Sequence, residues 1–167
     1  MVVSPKSATV FLLVIAVTLT ALVLSAWAVQ PSDKLKNQDF EEELSALVNQ
    51  KRRTAGVPML KKSPLLSQVA RNHSRDMSAR DFFHHTNPDG QGPKARLEES
   101  GYAWRAFGEN IGCGQVSPRL IFEAWLKNDS HRENILNPFY REIGVGFVAG
   151  GSCGSYWTGL FASPAVR

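Results

Sequence analysis

Four histidines lie between positions 73 and 131, and two of them, His85 and His131, flank the acidic residue Glu109. Two imidazoles and a carboxylate are ligand types that zinc accepts. A neutral imidazole also accepts a proton, so these side chains suit acid–base chemistry as well. Long stretches of sequence separate the three residues, and spacing alone leaves open whether they share a site. In the alternative, Glu109 braces a backbone turn.

The other histidines are expected to have structural roles. His73 falls on the apolar face of a predicted helix, which indicates a hydrogen-bonded core residue, and His84 is expected to be exposed. The sequence contains no His-Glu-x-x-His, no Gly-x-Ser-x-Gly and no glycine-rich phosphate loop before a helix. These motif classes of zinc protease, serine hydrolase and nucleotide-binding enzyme are therefore set aside.

Helix signals surround the candidate residues. Ser63 and Ser117 are each followed by proline, the usual pairing of an N-cap with the first helical position. The predicted inner faces are Leu66, Val69, Ala70, His73 and Met77 in the helix from 64, and Leu120, Ile121, Ala124 and Trp125 in the helix from 118. Asp39 and Glu42 resemble a capping box that opens an earlier helix, ended by Gly56 and Pro58. Ser130 with Glu133 is the predicted cap of the short helix that carries His131.

Loops and strands complete the expected framework. His85 lies in a turn-rich loop that ends in Asn-Pro-Asp-Gly at 87–90, and a short helix is predicted at 93–101 with Ala95 and Leu97 inward. Strands are expected at 106–113, 143–148 and 155–161, and the last two are joined by a glycine-rich hairpin at 149–154. Helices first and strands mostly last predict an α+β domain with a small antiparallel sheet.

The N-terminal segment predicts export. Residues 8–24 carry no charge, and the Ala26-Trp27-Ala28 pattern is typical of a signal-peptidase site, so cleavage is expected after Ala28. An uncleaved membrane anchor formed by residues 8–28 is the alternative. Residues 29–38 read as a polar linker, and residues 39–167 as one domain. We therefore expect a secreted or extracytoplasmic protein that touches the membrane only through its N-terminal segment.

Cysteine content and charge narrow the class further. Cys113 and Cys153 are the only cysteines, and an even count in an exported chain predicts a disulfide between them. The net charge is +4, with the basic residues scattered rather than gathered into a stripe with aromatic residues. Nucleic-acid binding is therefore not expected.

Seven ordered motifs resemble the CAP superfamily of cysteine-rich secretory, antigen 5 and pathogenesis-related proteins, and most closely its bacterial SCP-like extracellular branch. They are the segments 70–77, 83–90, 108–111, 124–125, 131–138, 142–146 and 156–158. The resemblance spans roughly residues 40–162. It implies a three-layer α-β-α sandwich with a central cleft that carries two histidines and two glutamates in the animal and plant members, sometimes with a divalent metal.

Carried over by motif, the cleft residues are His85, Glu109 and His131, while Asn128 stands where those members have the second glutamate. Zinc, magnesium or calcium is the cofactor that the resemblance implies, with His85 and His131 as ligands and Glu109 as a further candidate. Three functions stay open at this stage. The first, which we favour over an enzyme, is a binding or interaction module for a small apolar ligand, a lipid or a peptide. The others are a metal-assisted hydrolase and a structural domain that functions through its outer surface.

Overall fold

The first strong helix signal, Ser63-Pro64, opens a helix as expected. In a computed structural model that describes residues 31–165, with side chains from Lys36 onward, Ser63 Oγ accepts a hydrogen bond from Leu66 N and the helix runs to Arg80. Ser117 caps the helix from Pro118 through Leu120 N in the same way. Both predictions are confirmed because capping depends only on residues within one turn.

The elements follow one another in a simple order. They are α1 (Pro31–Thr54), β1 (Lys61–Lys62), α2 (Pro64–Arg80), α3 (Pro93–Glu99), β2 (Trp104–Cys113), α4 (Pro118–Lys127), α5 (Asp129–Leu136), β3 (Glu142–Ala149) and β4 (Ser155–Pro164). From Lys36 onward the chain forms one compact unit. Among the described residues no helix is long and apolar enough to span a bilayer. The predicted signal or anchor at 1–28 lies outside these residues.

Helix α1 begins earlier than the sequence indicated. It starts at Pro31, so residues 31–38 of the predicted linker are helical, and the capping-box interpretation at Asp39 is wrong. The polar, aperiodic residues 31–38 gave no core-facing pattern by which a helix could be recognised. From Phe40 onward the predicted apolar positions do reach the core, where Leu44 and Val48 are fully buried.

The sheet is mixed rather than purely antiparallel. Its order is β1–β3–β4–β2, in which β3, β4 and β2 are antiparallel and the two-residue β1 pairs in parallel with β3. The short β1 was not predicted, because two exposed lysines carry no strand pattern and only the pairing with Glu142 and Ile143 defines it. The disulfide Cys113–Cys153 is confirmed and ties the end of β2 to the β3–β4 turn, with the two Cα atoms 5.6 Å apart.

Helices cover both faces of the sheet and make three layers. On one face, which we call the α2 face, the backbone of α2 lies directly against β3, and a Cβ on Gly146 would overlap the backbone of Ala70 and Arg71. The other face, called the α4 face, is covered by α1, α4 and α5 and packs large side chains. Its core includes Trp125, Trp157, Phe147 and Phe161. The fold is therefore the α+β sandwich expected from the sequence.

Strand β2 forms one edge of this sheet, and two of its outward-pointing carbonyls have hydrogen-bond partners. Gly114 N donates to Ser155 O, and the alternation of an antiparallel ladder then points the carbonyls of Glu109 and Ile111 away from β4. Asn134 Nδ2 donates to the carbonyl oxygen of Glu109 at 3.4 Å, and Trp125 Nε1 donates to that of Ile111 at 3.0 Å. Side chains from α4 and α5 thus tie the helices of the α4 face to this edge strand.

Three local predictions need correction. Leu120, predicted to face inward, is exposed, because α4 turns Ile121 and Trp125 toward the sheet instead. The N-cap of α5 is Asn128 rather than Ser130, so Ser130 lies inside the first turn. Helix α3 ends at Glu99, and Ala95 is only half-buried, whereas Leu97 is buried as expected.

Candidate functional site

The candidate site is built around Glu109, in the middle of the edge strand β2. Successive side chains of a strand alternate between the faces of the sheet, so Glu109 lies on the α2 face and Asn110 on the α4 face. Both side chains are buried. Buried polar groups require hydrogen-bond partners, and the two sets of partners define the site.

Glu109 makes two charge-assisted contacts. Its Oε1 lies 2.8 Å from Nδ1 of His85, and its Oε2 accepts a 2.8 Å hydrogen bond from Nη2 of Arg96. The Glu109 side chain is only 2% exposed and that of Arg96 9%, whereas 42% of the His85 side chain is exposed. Since a carboxylate oxygen only accepts, His85 Nδ1 carries the proton of this bond, and Nε2 is the ring nitrogen that Glu109 leaves unoccupied. Each carboxylate oxygen of Glu109 therefore has one partner, while the His85 side chain is partly exposed to solvent.

The loop that carries His85 is held at several points. Arg96 Nη1 donates to the backbone carbonyls of His85 and Gln91, at 2.9 and 2.8 Å. The buried Asn87 closes the turn predicted at 87–90, where its Oδ1 accepts from the backbone N–H groups of Asp89 and Gln91. Arg96 thus fixes both the carboxylate and the loop that brings the imidazole to it.

His73, on helix α2, contacts the backbone of the same loop. It is buried, as predicted, and its Nε2 lies 3.1 Å from the carbonyl oxygen of His84. Burial lowers the pKa of His73 to about 4, so the ring is neutral at neutral pH. Because the carbonyl is an acceptor, Nε2 is the protonated nitrogen of this neutral ring. His84 itself is exposed, also as predicted.

On the α4 face, Asn110 is satisfied without charge. Its Nδ2 donates to the backbone carbonyl of His131 at 3.0 Å, and its Oδ1 accepts from Nδ2 of Asn134 at 2.9 Å. Gly108 allows this approach, since a Cβ there would collide with the side chains of Asn134 and Tyr140. Asn110 thereby fixes helix α5, and with it His131, against the edge strand.

His131 reaches the same edge from the α4 face. Its half-buried ring stands against Trp125, with centroids 6.3 Å apart at 70°. Burial, together with the nearby His85, holds the pKa of His131 below its ordinary value. His85 thus lies close enough to affect the pKa of His131, although the two residues come from opposite faces of the sheet.

Asn128 has a capping role in the structure. Its Oδ1 accepts from the backbone N–H of His131 at 3.1 Å and from Ser130 Oγ at 2.8 Å. Its side chain is therefore engaged at the N-terminus of α5. A contribution of Asn128 to ligand binding stays a prediction.

The imidazoles of His85 and His131 remain the predicted metal ligands. Within residues 36–165, no group of three or more His, Cys, Asp and Glu side chains converges as a ligand set. Glu109 has both oxygens engaged and acts here as the hydrogen-bond partner of a histidine. A carboxylate that orients a histidine in this way is the usual outer partner of metal-binding imidazoles.

Sequence reasoning missed Arg96, Asn110 and Asn134. Arg96 lies between Ala95 and Leu97, the two residues predicted to face inward, and an arginine within such a stretch signals a buried partner of opposite charge. Asn110 follows Glu109 in a strand, so its burial on the other face follows from alternation once the strand is recognised. Nothing in the sequence pairs it with Asn134.

Comparison with known proteins identifies related chains. The family model described as CAP, cysteine-rich secretory protein family, matches residues 46–161. The Bacillus subtilis protein YkwD is 36% identical over 122 residues, which cover 73% of this chain and 46% of YkwD. The chain thus spans slightly less than half the length of that relative.

Two solved structures share the fold. An extracellular protein containing an SCP domain, from Bacillus anthracis, aligns with a TM-score of 0.73 and 25% identity, covering 81% of this chain and 44% of the other. An outer surface protein of Borrelia burgdorferi aligns with a TM-score of 0.72 and 19% identity, covering 77% of this chain and 96% of the other.

Proposed function

Because the chain belongs to the cysteine-rich secretory protein (CAP) family, we propose that it is an extracytoplasmic binding module whose site is the edge of β2 at His85, Glu109 and His131. The uncharged segment 8–24 and the Ala-x-Ala pattern at 26–28 support export. The similar Bacillus anthracis protein is described as extracellular, which supports the same location. Anchoring by residues 8–28 is the alternative to release.

One observation carries the binding role. Arg96 holds Oε2 of Glu109, Glu109 holds Nδ1 of His85, and Nε2 of His85 is thereby left to face solvent. This chain of contacts preorganises the imidazole before a ligand arrives, which reduces the entropy lost on binding. Burial and the nearby His85 hold the pKa of His131 below its ordinary value, which favours the neutral ring.

These residues fit a divalent transition metal. His85 and His131 would hold it, and the ion would supply a cationic centre to which a ligand's carboxylate, carbonyl or imidazole binds. Imidazole nitrogens favour zinc over the hard cations magnesium and calcium, which prefer oxygen ligands. The residues on the chain orient the imidazoles: Glu109 fixes the tautomer of His85, and Asn110 fixes the helix that carries His131.

The hydrolase alternative receives less support. It requires Glu109 to take a proton from water, and both carboxylate oxygens are engaged, one by Arg96 and one by His85. A base must come within hydrogen-bond reach of the proton that it abstracts, and the Glu109 side chain is only 2% exposed to solvent. A binding function uses the same residues without this requirement.

Calorimetric titration of the full chain with zinc, in a mild detergent, tests the proposal. We expect zinc to bind, with an affinity at least tenfold lower in His85→Ala and in His131→Ala, and we expect neither magnesium nor calcium to bind. His84→Ala is the matched control, because His84 is exposed next to His85 and should leave the affinity unchanged. The site would be rejected if the wild type did not bind zinc, or if the double variant His85→Ala/His131→Ala bound zinc as tightly as the wild type.

A further inference from the structure

A groove separate from the Glu109 site lies between helix α2 and the segment 87–100. It encloses about 630 Å³, and its lining includes residues from both elements. Its walls include neither His85 nor Glu109 nor His131. Arg96 is shared between the two places: its Nη atoms face the Glu109 site, while the residue also lines the groove.

Two buried nitrogens at this groove lack partners. Nδ1 of His73 and Nε of Arg96 are enclosed, and neither has a hydrogen-bond partner within the described part of the chain. His73 is 1% exposed and Arg96 9%, and both line the groove. Since Nε2 of His73 donates to His84, its Nδ1 is an acceptor, while Nε of Arg96 is a donor. A ligand that supplies the complementary pair removes a destabilising defect in the free protein.

The walls are polar and carry no net charge. Gln68 and Asn72 stand one turn apart on α2, where their side-chain amides offer both donors and acceptors. The two arginines of the lining, Arg75 and Arg96, are matched by two acids, Asp76 and Glu99. An uncharged ligand with many hydroxyl or amide groups suits such a surface better than an ion does.

An apolar strip runs beside the amides. Leu65 and Val69 lie on the same stretch of α2 and also line the groove. An acetamido group combines one N–H donor, one carbonyl acceptor and one methyl group. Such a group therefore supplies a donor for Nδ1 of His73, an acceptor for Nε of Arg96 and a methyl group for the apolar residues.

We propose that this groove binds a saccharide that carries acetamido groups, with its hydroxyls on the amides of Gln68 and Asn72. Because Nδ1 of His73 and Nε of Arg96 are enclosed, side chains that line the groove must shift before a ligand can reach them. The contacts of the proposed saccharide include neither His85 nor His131, and Arg96 is the residue that the two sites share. A short peptide also has amide groups, and the test separates it from a saccharide.

Isothermal titration of the full chain in mild detergent uses three probes: tri-N-acetylchitotriose, cellotriose, which lacks the acetamido groups, and N-acetyl-trialanine amide. We expect the acetylated trisaccharide to bind at least tenfold more tightly than either of the others. Equal binding of the two trisaccharides, tighter binding of the peptide, or no saccharide binding at millimolar concentration would each overturn the proposal.

Variants locate the binding. Gln68→Ala and Asn72→Ala change exposed residues of α2 and should each weaken binding of the acetylated trisaccharide about threefold to tenfold. Gln38→Ala, an exposed glutamine of α1 outside the groove, should leave it unchanged. His131→Ala should also leave it unchanged, and loss of saccharide binding in that variant would overturn the separation of the two sites. Unaltered binding in both Gln68→Ala and Asn72→Ala would overturn the assignment to this groove.

Discussion

Glu109 and Asn110 are consecutive residues of β2, both buried and both polar, and the two faces of the sheet satisfy them by different means. On the α2 face, Glu109 is held by the charged side chain of Arg96 and by His85. On the α4 face, Asn110 is held by an amide and a backbone carbonyl, without a charge. The charged arrangement faces a solvent-exposed imidazole, whereas the neutral one fixes a helix.

The difference predicts unequal costs when each arrangement is broken. Removal of one member of a buried ion pair leaves an uncompensated charge, which is far more costly than an unpaired amide. The charged side should therefore dominate both the stability and the pH dependence of this part of the domain. Three experiments examine this comparison.

Arg96→Met should have the largest effect. It leaves the carboxylate of Glu109 buried beside a neutral side chain, and we expect the free energy of unfolding to fall by about 3–5 kcal/mol in denaturant titrations. The double variant Arg96→Met/Glu109→Gln should be less destabilised than the single one, because it removes the uncompensated charge. Lys94→Met, on the exposed side of the same helix, is the control and should change little. A loss no greater than that of the control would refute the dominance of the charged side.

Acidification should have the next largest effect, through His73. Its folded pKa, about 4, lies below the ordinary value of 6.5, so the unfolded chain binds more protons between these values. The contribution of His73 to the free energy of unfolding is therefore fully present above pH 6.5. It is lost as the pH is lowered toward 4, by on the order of 3 kcal/mol. His131, whose pKa is also lowered, adds a loss of the same sign.

Urea unfolding at several pH values measures this dependence. His73→Phe removes the titrating ring while keeping its bulk, so the variant should show a flatter profile than the wild type between pH 6.5 and 4. The exposed His84→Ala should retain the wild-type slope. An equally steep profile in His73→Phe would assign the pH dependence to other groups.

Asn134→Ala should have the smallest effect. It leaves Oδ1 of Asn110 buried and unpaired, and we expect a loss of about 1–2 kcal/mol in the free energy of unfolding. The same change removes one of the two side chains that a Cβ on Gly108 would overlap, the other being Tyr140, so Gly108→Ala should be better tolerated in this background than alone. Glu133→Ala, exposed on the same helix, serves as the control. A loss in Asn134→Ala that matches that of Arg96→Met would remove the distinction between the two faces.

Sequence reasoning succeeded where the signal is local. The serine–proline starts of α2 and α4 and the buried face of α2 all follow from residues within one or two turns. It failed at β1, which exists only through its pairing with β3, and at the cap of α5, where Asn128 and Ser130 are both good capping residues. Local sequence does not decide between two suitable caps, because the packing of the helix selects the one that is used.

The candidate site divides in the same way. The motifs identify His85, Glu109 and His131 as candidate residues, and the structure shows that His85 contacts Glu109. The partners that hold them, Arg96 and Asn134, come from other elements, and their distances in sequence from Glu109 carry no pattern. Supporting residues of this kind emerge only when the elements pack.

The occupied carbonyls on the outer edge of β2 also bear on how molecules of this protein meet one another. An unpaired strand edge is a template on which a second chain can add a strand, and such additions lead to aggregates and fibrils. Trp125 and Asn134 fill two of the acceptor positions on this edge. At the opposite edge β1 pairs with the first two residues of β3, and farther along β3 the backbone N–H of Phe147 donates to Glu41. We therefore expect the domain to resist edge-to-edge association at high concentration. Trp125, which packs in the core of the α4 face, contributes by occupying an acceptor that an added strand would need.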